Sequence, residues 1–358
     1  MSERMPVATR SRPSTVAAAG RPHASRGRRL PFGAVLAASV ALLGLVVLAS
    51  LAIGSRAVPP EVVWGAFAAP VDGDADQLVV RELRLPRTIV GVLAGAAFGA
   101  VAVVLQGATR NPLADPGLLG LNAGASLAVV CAITFLGVAT PLGFVWFAFA
   151  GAAAAAALVF AIGSAGGGAT PARLALTGAA VMAATTPLIT LVLLRDLATL
   201  NQYRFWSVGS LAGRDLETAA ALWPFLVAGL VLAAWLAPRL NLLALGDDVA
   251  RGLGVRLGVT RVVTALAVIV LAGTATSLAG PIALLGLAVA HAAGGLAGGD
   301  HRRRLALAAV LGAIVLVVAD VVGRVVAPPA ELEAGIVAAV VGAPVLIALV
   351  RRRGGAAW

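Results

Sequence analysis

The chain contains no lysine, so all 27 of its basic side chains are arginines. Without lysine it can form neither a P-loop contact to an ATP phosphate nor a Schiff base with retinal or a pyridoxal cofactor. The single cysteine, Cys131, excludes an intrachain disulfide and a thiolate cluster. The three histidines, at positions 23, 291 and 301, are too scattered for a sequence-local metal site. We therefore expect no catalytic residue, no cofactor and no bound metal ion in this chain.

Charge is also scarce. Only 12% of the 358 residues are charged, whereas 60% are hydrophobic and the mean hydropathy is +0.98. Soluble domains carry roughly 25% charged residues, and one of this length could not bury so much apolar surface. Aromatic residues make up only 5% of the chain, and the abundant glycine and alanine suit closely packed membrane helices. The composition predicts an all-α integral membrane protein.

Apolar stretches long enough to cross a bilayer recur along the chain. At about 20 residues for each span, we predict ten spans, at 32–53, 88–108, 117–138, 141–163, 172–194, 218–237, 259–278, 281–297, 305–323 and 334–350. The connections are short and leave no room for a large soluble domain. Gly280-Pro281 separates two spans almost without a loop, which is tolerated at membrane depth only where other protein covers the break.

The first 31 residues are polar and contain seven arginines, so they cannot form a core. We predict a disordered cytoplasmic tail at 1–31 and a transmembrane domain at 32–353. Arg28-Arg29 faintly resembles a twin-arginine signal. The apolar run that follows is longer than a signal-peptide core and has no clear cleavage site, so it is predicted to remain as the first span.

The distribution of arginine predicts the orientation. If the N-terminus is cytoplasmic, nineteen arginines fall on inside segments and eight on outside segments, and the outer segments hold most of the acidic residues. This bias and the even number of spans place both termini in the cytoplasm of a multi-pass cell-membrane protein. The net charge of +11 is then a signal of topology. No interleaving of aromatic and basic residues suggests a nucleic-acid partner.

Three polar segments interrupt the hydrophobic pattern. The first, Arg84-Leu-Pro-Arg87, places two cations at the outer end of the second span. They either reach towards lipid headgroups or form a docking patch for an acidic partner.

The second polar segment, Arg110-Asn111-Pro112-Leu-Ala-Asp115-Pro116, is followed by a glycine-rich run that includes Gly120. It predicts a turn at Asn111-Pro112, a helix cap at Asp115-Pro116, and a close-packing face of small residues.

The third segment, 245–255, predicts a short amphipathic helix. Leu245, Val249 and Leu253 fall on one stripe. Asp247 and Asp248 lie in the first turn, where the helix dipole favours acid, and Gly252 and Gly254 can end the helix. Such a helix either lies among headgroups or fits a groove on a cytoplasmic motor protein.

The order of these motifs resembles the FecCD-type permeases, the membrane subunits of binding-protein-dependent ABC importers for iron–siderophores, haem and cobalamin. The likeness covers about 33–353. It continues through these later segments: Trp206-Ser-Val-Gly-Ser-Leu-Ala-Gly213, 245–254, Gly280-Pro-Ile, Gly286-Leu-Ala-Val, Gly299-Asp-His-Arg302, Ala319-Asp320, Pro329-Ala-Glu-Leu332 and Gly335-Ile-Val. Many ordered motifs at fitting spacing are more specific than any one of them.

The resemblance implies a type II ABC importer permease that works by alternating access. Arg84, Arg87 and Arg324 would meet acidic residues on an extracytoplasmic substrate-binding protein. The coupling helix would contain Leu245, Gly246, Asp247, Asp248, Val249, Arg251 and Leu253, and would rest on one of two ATP-binding subunits. The permease would pair with itself or with a paralogue, among membrane lipids, and Asn111, Pro112, Asp115, Pro116 and Gly120 would form a structural motif.

Three positions depart from the family pattern. Ala290 and Gly294 stand where the family has the Pro and Arg of Pro-His-x-x-Arg, and Ala102 stands where it usually has Gly. We expect nearby Arg302–Arg304 to compensate for the missing arginine.

Competing interpretations stay open. Asp320 is the main ionisable candidate for an ion-coupled secondary transporter, although it can also pair with Arg324 at i, i+4. A non-transporting scaffold is a third possibility. His291 is expected to be a packed side chain, and Trp64, Trp146, Trp206 and Trp223 are expected to be interface anchors.

Overall fold

A computed structural model describes residues 31–117, 119–165, 171–327 and 330–353. The predicted tail, apart from Pro31, lies outside these residues. The helices run in the order α1 Phe32–Ala52, α2 Pro60–Ala68, α3 Ala75–Leu78, a π-helical stretch Val79–Arg84, α4 Leu85–Thr109, α5 Leu121–Leu136, α6 Pro141–Ser164, α7 Pro171–Leu193, α8 Leu197–Ser207, α9 Leu216–Leu243, α10 Asp247–Gly252, α11 Leu257–Ala279, α12 Leu285–Ala297, α13 His301–Val326 and α14 Ala334–Arg353. The prediction of an all-α protein is confirmed.

Each of the ten predicted spans coincides with a helix, but the helices differ in length. Seven helical segments among the described residues are long and apolar enough to cross a membrane. Three more are shorter, namely α5, α12 and the Ala334–Pro344 part of α14. The number of crossings, ten, therefore stays a prediction.

Helix α4 forms the centre of the bundle and packs along α13. Glycines at the crossing bring the two backbones into contact. A Cβ on Gly95 would overlap the carbonyl of Gly312, and a Cβ on Gly99 would overlap that of Ala308. Small residues allow this approach because membrane helices associate largely through van der Waals packing.

Helix α12 begins at Leu285, four residues later than predicted. Gly280 ends α11 with φ of +79°, and the chain from 281 to 283 is not helical. A side chain at Gly280 would overlap the carbonyl of Trp206, so the break is covered by protein as membrane depth requires. The departure at Ala102 is accommodated by a glycine on the facing helix. Gly286, at the start of α12, packs against α4, and a Cβ added to it would lie 3.0 Å from the Cβ of Ala102. The glycine at this close contact is therefore on α12, which leaves room for Ala102 on α4.

Two predicted connections contain helices that were not foreseen. Residues 54–84 hold α2, α3 and the π-helical stretch, and 195–215 hold α8. Buried Leu51, Val58, Val63, Ala66 and Val80 form a small second core that ties this region to the end of α1. It places the start of α4, with Arg84 and Arg87, on a packed support.

Candidate functional site

A basin of about 570 Å³ opens at the end of the bundle where α1 and α13 end and α4 begins. Its lining includes all three arginines that were predicted to dock a partner. The charged lining residues are Arg56, Asp76, Glu82, Arg84, Arg87, Arg214, Asp215, Arg324 and Glu331. Five arginines therefore face four carboxylates. We call this feature the arginine basin.

Arg84 lies at the floor of the basin and is only 6% exposed. Its Nη1 donates to the carbonyl of Leu51 at 2.8 Å, and its Nη2 donates to the carbonyl of Arg56. Gly54 leaves room for the guanidinium, because a Cβ there would lie 2.9 Å from Nη2. Arg84 thus satisfies the carbonyl of Leu51, in the last turn of α1, and a second carbonyl in the segment that follows the helix.

Arg324 is buried in a polar cluster beneath the basin. Its Nε donates to Asp320 Oδ2 at 3.0 Å, and its Nη1 donates to the carbonyl of Ser50 at 2.9 Å. Asp320, which is fully buried, also accepts from Arg87 Nε at 2.8 Å through Oδ1. Asp320 therefore serves two arginines and links α4 to α13. The predicted pairing of Asp320 with Arg324 is confirmed.

Arg87 is the member of the three that reaches towards the basin opening. Its Nη1 donates to Glu331 at 2.6 Å, and the Glu331 side chain is 33% exposed. The cationic surface of Arg87 is thus already occupied by an acid of the same chain. Any acidic group from outside has to compete with Glu331 for Arg87.

Arg214 forms another wall of the basin, in the loop before α9. Burial lowers the pKa of Arg214 to about 10, although neighbouring Asp215 and Glu333 oppose this shift. The side chain therefore remains charged at neutral pH. Trp206, near the end of α8, is only 4% exposed, so its prediction as an interface anchor is wrong. Trp64, Trp146 and Trp223 are more than half exposed.

The opposite end of the bundle presents α10. Leu245, Val249 and Leu253 are 61%, 49% and 57% exposed, while Ala250 is fully buried against the bundle. The helix itself is shorter than predicted, because Gly246 (φ of +105°) precedes it and Gly252 is its last residue. Leu245 and Leu253 therefore flank it. We call these three exposed side chains the apolar stripe.

Carboxylates hold α10 in place. Asp247 accepts from Arg110 at 2.7 Å and from Arg261 at 3.1 Å, so it joins α10 to the ends of α4 and α11. Asp248 pairs with Arg251 at 2.9 Å on the exposed side of the helix. Both acids lie in the first turn, as predicted. The sequence did not show that Asp247 has partners 137 and 14 residues away.

The turn between α4 and α5 supports the same end. Asn111 Oδ1 accepts from the backbone N–H of Leu113, which confirms the predicted turn at Asn111-Pro112. Asp115, beside buried Pro116, accepts from the N–H of Gly117 at 2.8 Å. The predicted cap at Asp115 is wrong, because α5 begins at Leu121 behind Gly120 (φ of +75°), which has no side chain to cap it.

The departure at Gly294 has a structural partner. A Cβ at this position would lie 3.3 Å from Nε and Nη2 of Arg304. Arg304 Nη2 donates to Gln106 on α4 at 3.4 Å. A guanidinium from α13 therefore lies against this part of α12, in line with the expected compensation.

Comparison with known proteins supports the family resemblance that the sequence motifs indicated. The model of the FecCD transport family matches residues 42–352. The chain is 44% identical over 322 residues to the ferric enterobactin transport system permease protein FepD of Escherichia coli K12, covering 88% of this chain and 96% of that protein. It is 37% identical over 320 residues to the iron(3+)-hydroxamate import system permease protein FhuB of Bacillus subtilis 168, covering 89% and 83%.

A solved structure is also similar. It is described as a metal-chelate type ABC transporter in an inward-facing conformation. Its TM-score to this chain is 0.77 at 26% sequence identity, and the match covers 90% of this chain and 99% of that one.

Proposed function

This chain belongs to the FecCD transport family, and we propose that it is the permease subunit of an ABC importer for an iron(III)-siderophore or a related metal chelate, such as haem or cobalamin. The match to FepD over nearly the whole of both proteins is the observation on which this rests. FepD is named for ferric enterobactin, and FhuB for iron(3+)-hydroxamate. The chelate carried by this chain belongs to the same general class.

We propose that all ten helices that match the predicted spans are arranged as a type II importer permease, with both termini in the cytoplasm. The relative placement of charge supports this. The arginine basin with its acids lies where α4 begins, and Arg110, Arg251 and Arg261 lie where α4 ends. The end with α10 would then face the cytoplasm, in agreement with the arginine bias.

The partner at the α10 end is proposed to be an ATP-binding subunit, with two such subunits serving a pair of permeases. The apolar stripe is exposed although it is flanked by charged residues. Such a stripe fits a groove on another protein as an amphipathic helix does. Because Asp247 ties α10 to α4 and α11, a movement imposed on α10 is passed directly to two central helices.

The partner at the opposite end is proposed to be an extracytoplasmic substrate-binding protein with acidic residues at its contact surface. Arg87 would contact it directly by exchanging Glu331 for a carboxylate of the partner. Buried Arg84 and Arg324 would hold the floor of the basin and become accessible only if the surrounding helices move. Charge pairs of this kind affect the association rate and specificity more than the total affinity.

Nothing among the described residues supports the ion-coupled alternative. Both carboxylate oxygens of Asp320 accept hydrogen bonds from arginine. Asp320 is fully buried between Arg87 and Arg324 and is not among the residues that line the arginine basin.

Reconstitution in proteoliposomes tests the proposed function. Radiolabelled ferric siderophore should enter only when the ATP-binding subunits, ATP and the binding protein are all present. Uptake by the permease alone, driven by a proton or sodium gradient, would overturn the proposal. A vesicle with the ATP-binding subunits but without the permease is the matched control for leakage.

A further inference from the structure

A groove of about 550 Å³ lies beside α10, between the last turns of α9 and the start of α11. It shares Leu253 with the apolar stripe but otherwise has a different lining. Arg239, Arg256 and the indole of Trp235 contribute to it, together with apolar or small residues and Thr260. No carboxylate lies among the described residues that line it. We call this feature the α9–α11 groove.

The guanidinium of Arg239 lies against the indole ring of Trp235. Its central carbon lies 3.4 Å from the centre of the Trp235 ring. Its Nη1 donates to the carbonyl of Trp235 at 2.6 Å. The stacking and this single hydrogen bond fix the side chain and leave further N–H donors of the guanidinium for another acceptor. A planar guanidinium fixed in this way suits the oxygens of a phosphate group.

Arg256 adds a second positive charge. It is exposed at the position before α11, and its side chain does not cap that helix. Three other arginines at this end each pair with a carboxylate, namely Arg110, Arg251 and Arg261. In the described part of the chain, neither Arg239 nor Arg256 has an acidic side chain within 4.0 Å. The groove therefore has a local positive charge that this chain leaves uncompensated.

The position of the groove suits a lipid. Arg239 lies four residues before the end of α9, and Arg256 immediately precedes α11, so both are at the boundary between the apolar helices and the polar end. Trp235 and Val259, which are 39% and 48% exposed, continue the wall along the apolar part of these helices. Basic pockets between helix ends are where anionic headgroups bind, and tryptophan favours the same depth.

We propose that the α9–α11 groove binds an anionic phospholipid, with the phosphodiester between Arg239 and Arg256 and an acyl chain along Trp235 and Val259. This binding is independent of the transported chelate. It would fix the two helices that flank α10 at the level of the inner leaflet.

Native mass spectrometry of the full chain in a neutral detergent tests the proposal. Phosphatidylglycerol and phosphatidylethanolamine with the same acyl chains would be titrated in parallel. The wild-type chain should prefer phosphatidylglycerol. Arg239→Gln and Arg256→Gln should each reduce that preference about fivefold, as expected for one basic residue near an anionic headgroup. Arg256→Gln, at an exposed position, provides the test if Arg239→Gln fails to fold.

The control is Arg302→Gln, which removes the same charge from the first turn of α13 and lies outside the groove lining. It should keep the wild-type preference. An equal loss in this control would show a general effect of net charge and overturn the proposal. The absence of any preference in the wild-type chain would also overturn it, and would leave the groove to a protein partner. Transport does not enter these measurements, so the proposed function is tested separately.

Discussion

At the scale of single residues, Asp320 joins helices α4 and α13 by pairing with an arginine of each. It is fully buried on α13 and pairs with buried Arg324 and with Arg87, whose side chain is 11% exposed. Removing one partner of a buried ion pair leaves an uncompensated charge in an environment of low polarity. The cluster is therefore a structural unit beneath the arginine basin.

Asp320→Asn should lower the free energy of unfolding by about 3–5 kcal/mol, because buried Arg324 would lose its counter-charge and Arg87 would keep only Glu331. Thermal unfolding of the purified chain in detergent measures this. Glu331→Gln is the control, since the Glu331 side chain is 33% exposed and its pair with Arg87 should contribute only about 0–1 kcal/mol. Equal stabilities of the two variants would contradict this assignment.

Glu331→Gln also tests the exchange proposed for docking. Without the competing carboxylate, Arg87 is free to pair with an acidic partner, so the affinity for the binding protein should rise at low salt and the gain should shrink at high salt. Surface plasmon resonance at two ionic strengths measures it. Arg87→Gln should have the opposite effect on affinity. A lower affinity in Glu331→Gln would mean that Glu331 itself contacts the partner.

How far these residues could be predicted depends on where their partners lie in the sequence. The pair of Asp320 with Arg324 follows from helical spacing, and the turn at Asn111 follows from its neighbours. The burial of Arg84 could not be foreseen, because it depends on the carbonyl of Leu51, 33 residues away. The contact of Arg324 with Ser50 spans 274 residues. Local patterns contain no information about such contacts.

At the scale of helices, the crossing of α4 and α13 depends on missing side chains. Gly99→Ala should push the two helices apart and destabilise the chain by about 1–3 kcal/mol, as other overpacked cores do. Gly44→Ala on α1 is the matched control, because a Cβ there meets nothing within 4 Å. The thermal midpoint in detergent should fall for the first variant only. A stable Gly99→Ala chain would show that the crossing can relax.

Helix α10 permits a second test at this scale. Val249→Asp places a charge in the apolar stripe, so ATP hydrolysis by the assembled importer should continue while uptake falls strongly. Val71→Asp is the control, since Val71 is 60% exposed at the opposite end of the bundle. The ratio of chelate transported to ATP hydrolysed is the measurement. A wild-type ratio in Val249→Asp would remove the stripe from the coupling surface.

The long helices could be predicted because runs of apolar residues suffice to identify them. Helix α2 was missed, although Pro60 in its first turn and Glu61 beside it are signals of a helix start. The start of α12 was misplaced because Gly280, just before 281–283, packs closely against the end of α8 at Trp206 and against Gly209. Hydropathy cannot distinguish an apolar helix from an apolar segment held straight by its neighbours.

At the scale of the whole molecule, orientation is the property to be tested. Cys131 can be replaced by serine so that a single new cysteine reports its own position. Asp72→Cys, near the arginine basin, should react with an impermeant thiol reagent in intact spheroplasts. Arg302→Cys, at the end that holds α10, should react only after permeabilisation. The reverse pattern would place the basin in the cytoplasm and exclude a binding-protein site there.

Helix α4 connects the two ends by itself. Its 25 residues extend about 37 Å at 1.5 Å per residue. Its only proline, Pro86, lies in the first turn, and glycine contacts hold it along α13. One end holds Arg87, and the other ends at Arg110, which pairs with Asp247 on α10. A helix of this length without an internal proline lacks the commonest cause of a kink. A tilt imposed on one end of α4 by a bound partner would therefore displace the other end, at the opposite membrane face, as well.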